Sequence, residues 1–221
     1  MRFLENLIQS ISQHVLPTAC IVCQQYKSAN ICYVCLLHLR HNSLLHYQCC
    51  IQCGIPLQPN EINLHQCNAC DLLKPAFDQT ICLDRYDGPL QEALHQFKYQ
   101  KRLAFAYGLS KIWNVVIANE IDDRSIDYLI PVPLSQKKLL SRGFNQSWEI
   151  AKRIQCGSHI QKLPYTLKRF HHIEHQAAKN YSARQHDIRQ MFYIDTKDIE
   201  ILKGKSVAIF DDVMTSGATL N

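Results

Sequence analysis

"VAIFDDVMTSGATLN", Val207–Asn221, runs four apolar residues into two adjacent aspartates and then into a short polar loop around one glycine. The pattern reads as a strand that delivers a ligand site to the head of a helix. Two carboxylates at a strand tip can hydrogen-bond a vicinal diol or support Mg²⁺. The loop behind them offers backbone N–H groups, the hydroxyls of Thr215, Ser216 and Thr219, and Gly217, which permits close approach. Together these make a phosphate nest. No lysine lies in it, so it is not the GxxxxGK[ST] loop of an NTPase. Paired acids at a strand end are common and often structural, and it is the attached loop that favours a sugar phosphate.

Working back from this stretch, strands alternate with helices from Asp71 onward. "QTICLDRYDGPL" reads as a strand ending in a turn at Asp87–Gly88, and "LQEALHQFKYQKR" as a helix with Leu90, Leu94 and Phe97 on one face. A second helix is expected near Ala104–Ala118. "DYLIPVPL" reads as a short strand whose ladder Pro131 and Pro133 end. "FNQSWEIAKRI" reads as a helix capped by Asn145 or Ser147, and "QMFYI" and "KSVAIFDD" as strands. Such alternation predicts an α/β fold with a mostly parallel sheet, which binds ligands beyond the carboxyl ends of its strands.

The first 70 residues have different chemistry. Eight of the chain's 11 cysteines form four Cys-x-x-Cys pairs there: Cys20/Cys23, Cys32/Cys35, Cys50/Cys53 and Cys67/Cys70. Two such pairs present four thiolates to one tetrahedral Zn²⁺, and metal binding of about 10–16 kcal/mol replaces the core that so short a region cannot build. Pairing in order assigns Cys20, Cys23, Cys32 and Cys35 to one ion and Cys50, Cys53, Cys67 and Cys70 to another. A cross-braced arrangement would use the same eight residues. His14, His38, His41, His46 and His65 are bystanders, since sulfur completes every site. Four pairs so close together do not fit a thioredoxin-like redox site, which uses one.

Before the cysteines, Phe3, Leu4, Leu7, Ile8 and Ile11 recur at helical spacing and predict an amphipathic helix over 1–18. Glu5, Asn6 and Gln9 interrupt any continuous apolar stretch, no small-residue cleavage site follows, and no apolar run reaches the ~20 residues of a membrane span. These features predict a cytoplasmic protein with structural zinc. Net charge is +5, and Gln136–Arg189 alone carries 11 Lys and Arg against three acids. Such a segment reads either as a surface for polyanions or as an ordinary solvated basic face.

Val207–Thr219 matches without a gap the phosphoribosyl-pyrophosphate (PRPP) motif of type I phosphoribosyltransferases, so the chain resembles that class. A second stretch narrows the resemblance. Pro131-Val132-Pro133-Leu134 and Arg142-Gly143-Phe144-Asn145-Gln146 resemble the signature of the ComF/GntX family, as do Phe97-Lys98-Tyr99 and the spacing of Arg169, Gln176, Arg184 and Phe192. That family joins an N-terminal zinc module to a phosphoribosyltransferase-like body. The resemblance implies a zinc-binding module over 19–71, double and ribbon-like, and a body over 72–221.

It also implies roles. Asp211 and Asp212 would hold the ribose hydroxyls of PRPP, and Thr215, Ser216, Gly217 and Thr219 its 5′-phosphate. Pro133 and Leu134 would form the pyrophosphate loop, with Arg142 as the charge partner of the diphosphate and Mg²⁺ accompanying the substrate. Phe144 reads as core; Lys98 and Arg184 read equally as ligand contacts or solvated charges. Two departures stand out. Asp187 occupies a position usually filled by Asn. Only Leu220 and Asn221 follow the phosphate loop where relatives continue into a helix, so the sequence reads as truncated, as a fragment or by an early stop, and Val207–Phe210 is left short of cover. The resemblance implies a competence role in DNA uptake and natural transformation, with PRPP or a related sugar phosphate, single-stranded DNA and other competence proteins as partners. A Mg²⁺-dependent phosphoribosyltransferase of unidentified acceptor and a zinc-stabilised scaffold with a degenerate PRPP site are the other two readings. The residues assign no catalytic base.

Overall fold

A computed structural model describes residues 18–27, 29–118, 126–170 and 191–214. The expected helix over 1–18 and the phosphate-loop residues Thr215, Ser216, Gly217 and Thr219 therefore lie outside the described residues, apart from Thr18. That residue is in strand β1 (Thr18–Ala19), paired antiparallel with β2 (Tyr26–Lys27).

The cysteine-rich region is built twice on one plan. In the first copy, Cys20 N–H donates to Gln25 O (2.9 Å) and Gln24 N–H to Cys20 O (2.8 Å). In the second, Cys50 N–H donates to Ile55 O and Gly54 N–H to Cys50 O, both at 2.8 Å. Each turn closes on a left-handed residue, Gln24 (φ 59°) and Gly54 (φ 73°). Each copy's second cysteine pair then opens a helix. Cys32 is the N-cap of α1 (Tyr33–His41) and Cys67 that of α2 (Asn68–Leu73), with nearly identical extended backbones.

Between this region and the body, residues 79–87 were expected to form a strand. They form none, because their backbone groups are engaged by the cysteine-rich region. Thr80 N–H donates to Ile51 O, and Leu83 O accepts from Leu44 N–H and Ser43 Oγ–H. Asp87–Gly88 is likewise not a turn that ends a strand. Asp87 is the N-cap of α3 (Gly88–Tyr99), with Pro89 in the first turn, where its missing N–H costs nothing.

Helices α3 and α4 (Phe105–Val116) fall where the apolar periodicity puts them. Leu90, Ala93 and Phe97 of the first and Ala106, Leu109 and Ile112 of the second are buried. A parallel sheet follows in the order β4 (Gln161–Lys162), β3 (Tyr128–Pro131), β7 (Val207–Phe210). Pro131 is the last residue of β3 and does not end the ladder before it, since Val132 N–H still donates to Phe210 O. Two short helices, α5 (Gln136–Arg142) and α6 (Gln146–Ala151), connect β3 to β4. The stretch at 191–194 is a strand but not a sheet member. β6 (Phe192–Ile194) pairs antiparallel with β5 (Leu167–Arg169) as a separate ribbon, joined through α7 (Thr196–Leu202) to β7.

One apolar core links the first cysteine copy to the body. Cys20, Ile21, Ile31 and Leu39 pack in the same cluster as Leu90, Phe97, Leu109, Ile112 and Ile150, whereas Cys50, Cys67 and Cys70 form a small cluster of their own. Gly108, in the middle of α4, makes the junction possible. A Cβ there would stand 2.6 Å from Ile21 Cδ1 and 3.1 Å from Asn30 O. Glycine inside a helix costs about 0.5–1 kcal/mol relative to alanine, and here close approach of the cysteine turn compensates. Gly108→Ala is therefore expected to destabilise the chain by about 1–3 kcal/mol despite its better helix propensity, read as a lower urea midpoint; an unchanged or raised midpoint would contradict this junction.

Candidate functional site: converging strand ends and two cysteine clusters

The four Sγ atoms of Cys20, Cys23, Cys32 and Cys35 all lie within 4.8 Å of one another, as do those of Cys50, Cys53, Cys67 and Cys70. The grouping follows sequence order and is not cross-braced. Four sulfurs about 2.3 Å from one Zn²⁺ stand about 3.8 Å apart in a tetrahedron. Cys23 and Cys32 are 3.9 Å apart and Cys53 and Cys67 3.7 Å. Burial opposes ionisation of Cys20, yet the N–H groups of Cys32, Cys23 and Val22 outweigh it and lower the thiol to about 7. Cys50 is lowered to about 7 in the same way, against its burial, chiefly by the N–H groups of Cys53 and Cys67. Burial and the neighbouring thiols push Cys35 and Cys53 upward. Burial pushes Cys70 up to about 11. Thiols so crowded cannot all ionise together unless a dication compensates them, so the donor set suits a structural zinc. Glu61 braces the second cluster. Its carboxylate accepts from Asn68 N–H, beside Cys67, and from Gln58 N–H, both at 2.9 Å, and these bonds hold its carboxyl below the usual range.

At the other end of the body, β3 and β7 stop level, because Pro131 pairs with Phe210. Asp211 and Asp212 leave β7 there, and Pro133 and Leu134 leave β3. The chain passes from β3 to β4 on one side and returns as β7 on the other, so the strand order reverses between these two ends. In open parallel sheets that reversal is where ligands bind.

Three separated stretches meet at this point. Ser147 Oγ–H donates to Asp211 Oδ1 (2.9 Å), which also accepts from Asp212 N–H (2.9 Å). Gln146 Nε2–H reaches Asp212 Oδ1 at 3.4 Å, and the Arg142 guanidinium donates to Gln146 Oε1. Lys98, from the last turn of α3, forms an ion pair with Asp212 Oδ2 that lacks hydrogen-bond alignment. The pair is buried, with 12% of the lysine side chain and 4% of the aspartate exposed. Asn145 holds the turn in place, since its Nδ2–H donates to Val132 O (3.0 Å) and its side-chain oxygen caps α6 at Ser147 N–H (3.1 Å). Burial and the adjacent Asp212 charge raise Asp211 to about 6. Two tyrosines carry the cations: Tyr86 lies 5.9 Å from Lys98 Nζ and Tyr99 5.6 Å from the Arg142 guanidinium.

Of the residues singled out from sequence, Asp211, Asp212 and Arg142 join this network, and Pro133 and Leu134 follow the strand end beside it. Phe144 stacks on Phe97 at 5.1 Å and is core. Lys98, which read equally as a solvated charge, is a buried partner of Asp212. Arg184 and Asp187 lie outside the described residues. Gln146 received no role from sequence and Ser147 only that of a candidate helix cap, although both stand in or next to the Arg142–Gln146 signature that could have flagged them.

The chain is 25% identical over 211 residues to the DNA utilization protein YhgH of Escherichia coli K12, covering 93% of this chain and 88% of that protein. It is 25% identical over 175 residues to Competence protein F of Haemophilus influenzae (78% and 75%) and 23% identical over 219 to Competence protein ComFC of Bacillus subtilis (91% and 85%). These relatives, each matched over most of this chain, support its resemblance to the ComF family. No family model and no solved structure matches it. No helix among the described residues is long and apolar enough to cross a membrane.

Metal analysis of this chain is expected to find two zinc ions per molecule. Cys67→Ala should remove one, and Cys20→Ala should remove one and also lower the melting temperature further, because Cys20 belongs to the main core. Less than one zinc per chain, with the fold intact in chelator, would contradict the assignment.

Proposed function

We propose that this ComF chain is a competence-type protein serving DNA uptake or use, and that its body is a type I phosphoribosyltransferase-like domain that binds PRPP. One observation carries the reading: Lys98, Arg142–Ser147 and Asp211–Asp212, far apart in sequence, share one hydrogen-bonded and ionic network at the strand-order reversal. In this reading residues 19–71 form the zinc module and 72–221 the body.

Asp211 and Asp212 accept hydrogen bonds from the vicinal ribose hydroxyls, and Ser147 and Gln146 hold the two carboxylates in place for them. Arg142, whose planar fork pairs two phosphate oxygens at once, faces the diphosphate from the loop that begins at Pro133 and Leu134. Thr215, Ser216, Gly217 and Thr219 hold the 5′-phosphate through hydroxyls and backbone N–H groups. The donor set of carboxylates suits Mg²⁺, which supplies charge neutralisation to the diphosphate when bound with it. Lys98 balances Asp212 so that the site does not meet a polyanionic substrate with two uncompensated carboxylates. The relatives' names, DNA utilization and competence, support the cellular role. The exposed helix Gln136–Arg142, which carries Lys137, Lys138 and Arg142, adds a basic face suited to single-stranded DNA.

Calorimetric titration of the zinc-loaded chain with PRPP and Mg²⁺ should give saturable binding, weakened tenfold or more by Asp212→Asn. An absence of binding, or equal affinity for the variant, would overturn the substrate assignment.

A further inference from the structure

The two cysteine copies match bond for bond, yet they meet different surroundings. Ala19 pairs with Tyr26 as Cys49 pairs with Pro56. Ile21 N–H donates to Asn30 O (2.9 Å), and Ile51 N–H to His65 O (3.0 Å). Ile21 and Ile51 therefore hold the same place, each directly after the first cysteine of its cluster. Ile21 is 3% exposed, because helix α4 crosses its turn at Gly108, where a Cβ would meet both Ile21 Cδ1 and Asn30 O. Ile51 is 53% exposed, and Thr80, whose N–H takes the Ile51 carbonyl (2.9 Å), leaves the side chain open. Leu64, next to His65 in the chain, is exposed as well. Among the described residues, the second copy keeps the helix seat of the first with no helix on it.

We propose that this seat binds an amphipathic helix of a partner protein. The helix crosses the Cys50–Gly54 turn and brings a glycine against Ile51 and His65 O, as Gly108 meets Ile21 and Asn30 O. The rim of the seat sets the rest of the partner's chemistry. Val22 and Ile31 of the first copy belong to the main core. Their counterparts are Gln52 and Gln66, whose side-chain amides hydrogen-bond to each other. Leu36 and Leu39, which join the core from α1, are replaced by Asp71 and Lys74, both exposed. The partner helix therefore carries apolar contact only around its glycine, flanked by amide or charged side chains that complement Gln52, Gln66, Asp71 and Lys74. So polar a rim suits an interface that forms and dissociates, whereas the apolar contact of the first copy is built in. A second molecule of this chain does not supply such a helix. Among the described helices only α3 and α4 hold a glycine; Gly88 merely opens α3, and Gly108 is already buried against Ile21.

A synthetic peptide of Leu103–Ile117 is the probe, because it carries the glycine that fits this turn in the first copy. In methyl spectra of the zinc-loaded full chain, the Ile51 δ1 signal, assigned with Ile51→Val, should move and saturate with the peptide while the Ile21 signal stays in place. The same peptide with Gly108→Leu should bind about tenfold or more weakly, since the added side chain overpacks the turn. Ile51→Glu, at an exposed position, should keep the zinc content and melting temperature of the parent and lose peptide binding. No saturable movement of the Ile51 signal, equal affinities for the two peptides, or binding retained by Ile51→Glu would overturn the seat. Dimerisation of the chain alone in sedimentation velocity, abolished by Ile51→Glu, would give the surface to a second molecule of this chain and overturn the partner helix.

Discussion

The register between β3 and β7 is the constraint on which the site depends. Tyr128 pairs with Val207 and Pro131 with Phe210, and the parallel alignment is pinned at both ends. At the start, the Asp127 carboxylate accepts from Ser206 N–H (2.9 Å) and meets the Lys205 ammonium (3.2 Å). At the finish, Val132 N–H closes on Phe210 O (2.9 Å). A slip of one residue would turn Ala208 and Phe210 away from the core and carry Asp211 off Ser147. The paired acids have a fixed address because two short strands end at the same height.

The first cysteine cluster acts on that address from a distance. The turn that carries Cys20 is part of the same core as Phe97 and Leu109, and Gly108 lets it sit against the helix backbone. Helix α3, which bears Lys98, packs against α4, whose other contacts include the first cysteine copy. Order in the first cluster therefore stabilises the surface on which Lys98 is presented to Asp212. The second cluster, with its separate small core and the Glu61 brace, is positioned to be more independent.

Much of this was legible in the sequence because its signals were local. Four Cys-x-x-Cys pairs announce two ligand sets, and the apolar spacing of Leu90, Leu94 and Phe97 announces a helix. What escaped reading depended on contacts between distant segments. Residues 79–87 have strand-like composition, but their backbone bonds go to Ile51, Ser43 and Leu44. The "QMFYI" stretch has a strand's residues, but its partner is β5 rather than β3. The duplication of the cysteine plan is carried by hydrogen bonds around Gln24 and Gly54, two residues with no likeness as side chains. Lys98 was ambiguous for the same reason: a lysine in the last turn of a helix is ordinary, and only the approach of Asp212, 114 positions later by residue number, makes it a buried partner.

Whether Lys98 and Asp212 belong to one ligand site is best measured with a double-mutant cycle on PRPP affinity, using Lys98→Met, Asp212→Asn and the pair. A shared site requires the double variant to lose clearly less than the sum of the single losses, since each substitution alone leaves a buried charge without its partner. Losses that add to within about 0.5 kcal/mol, or a PRPP affinity indifferent to both residues, would contradict it.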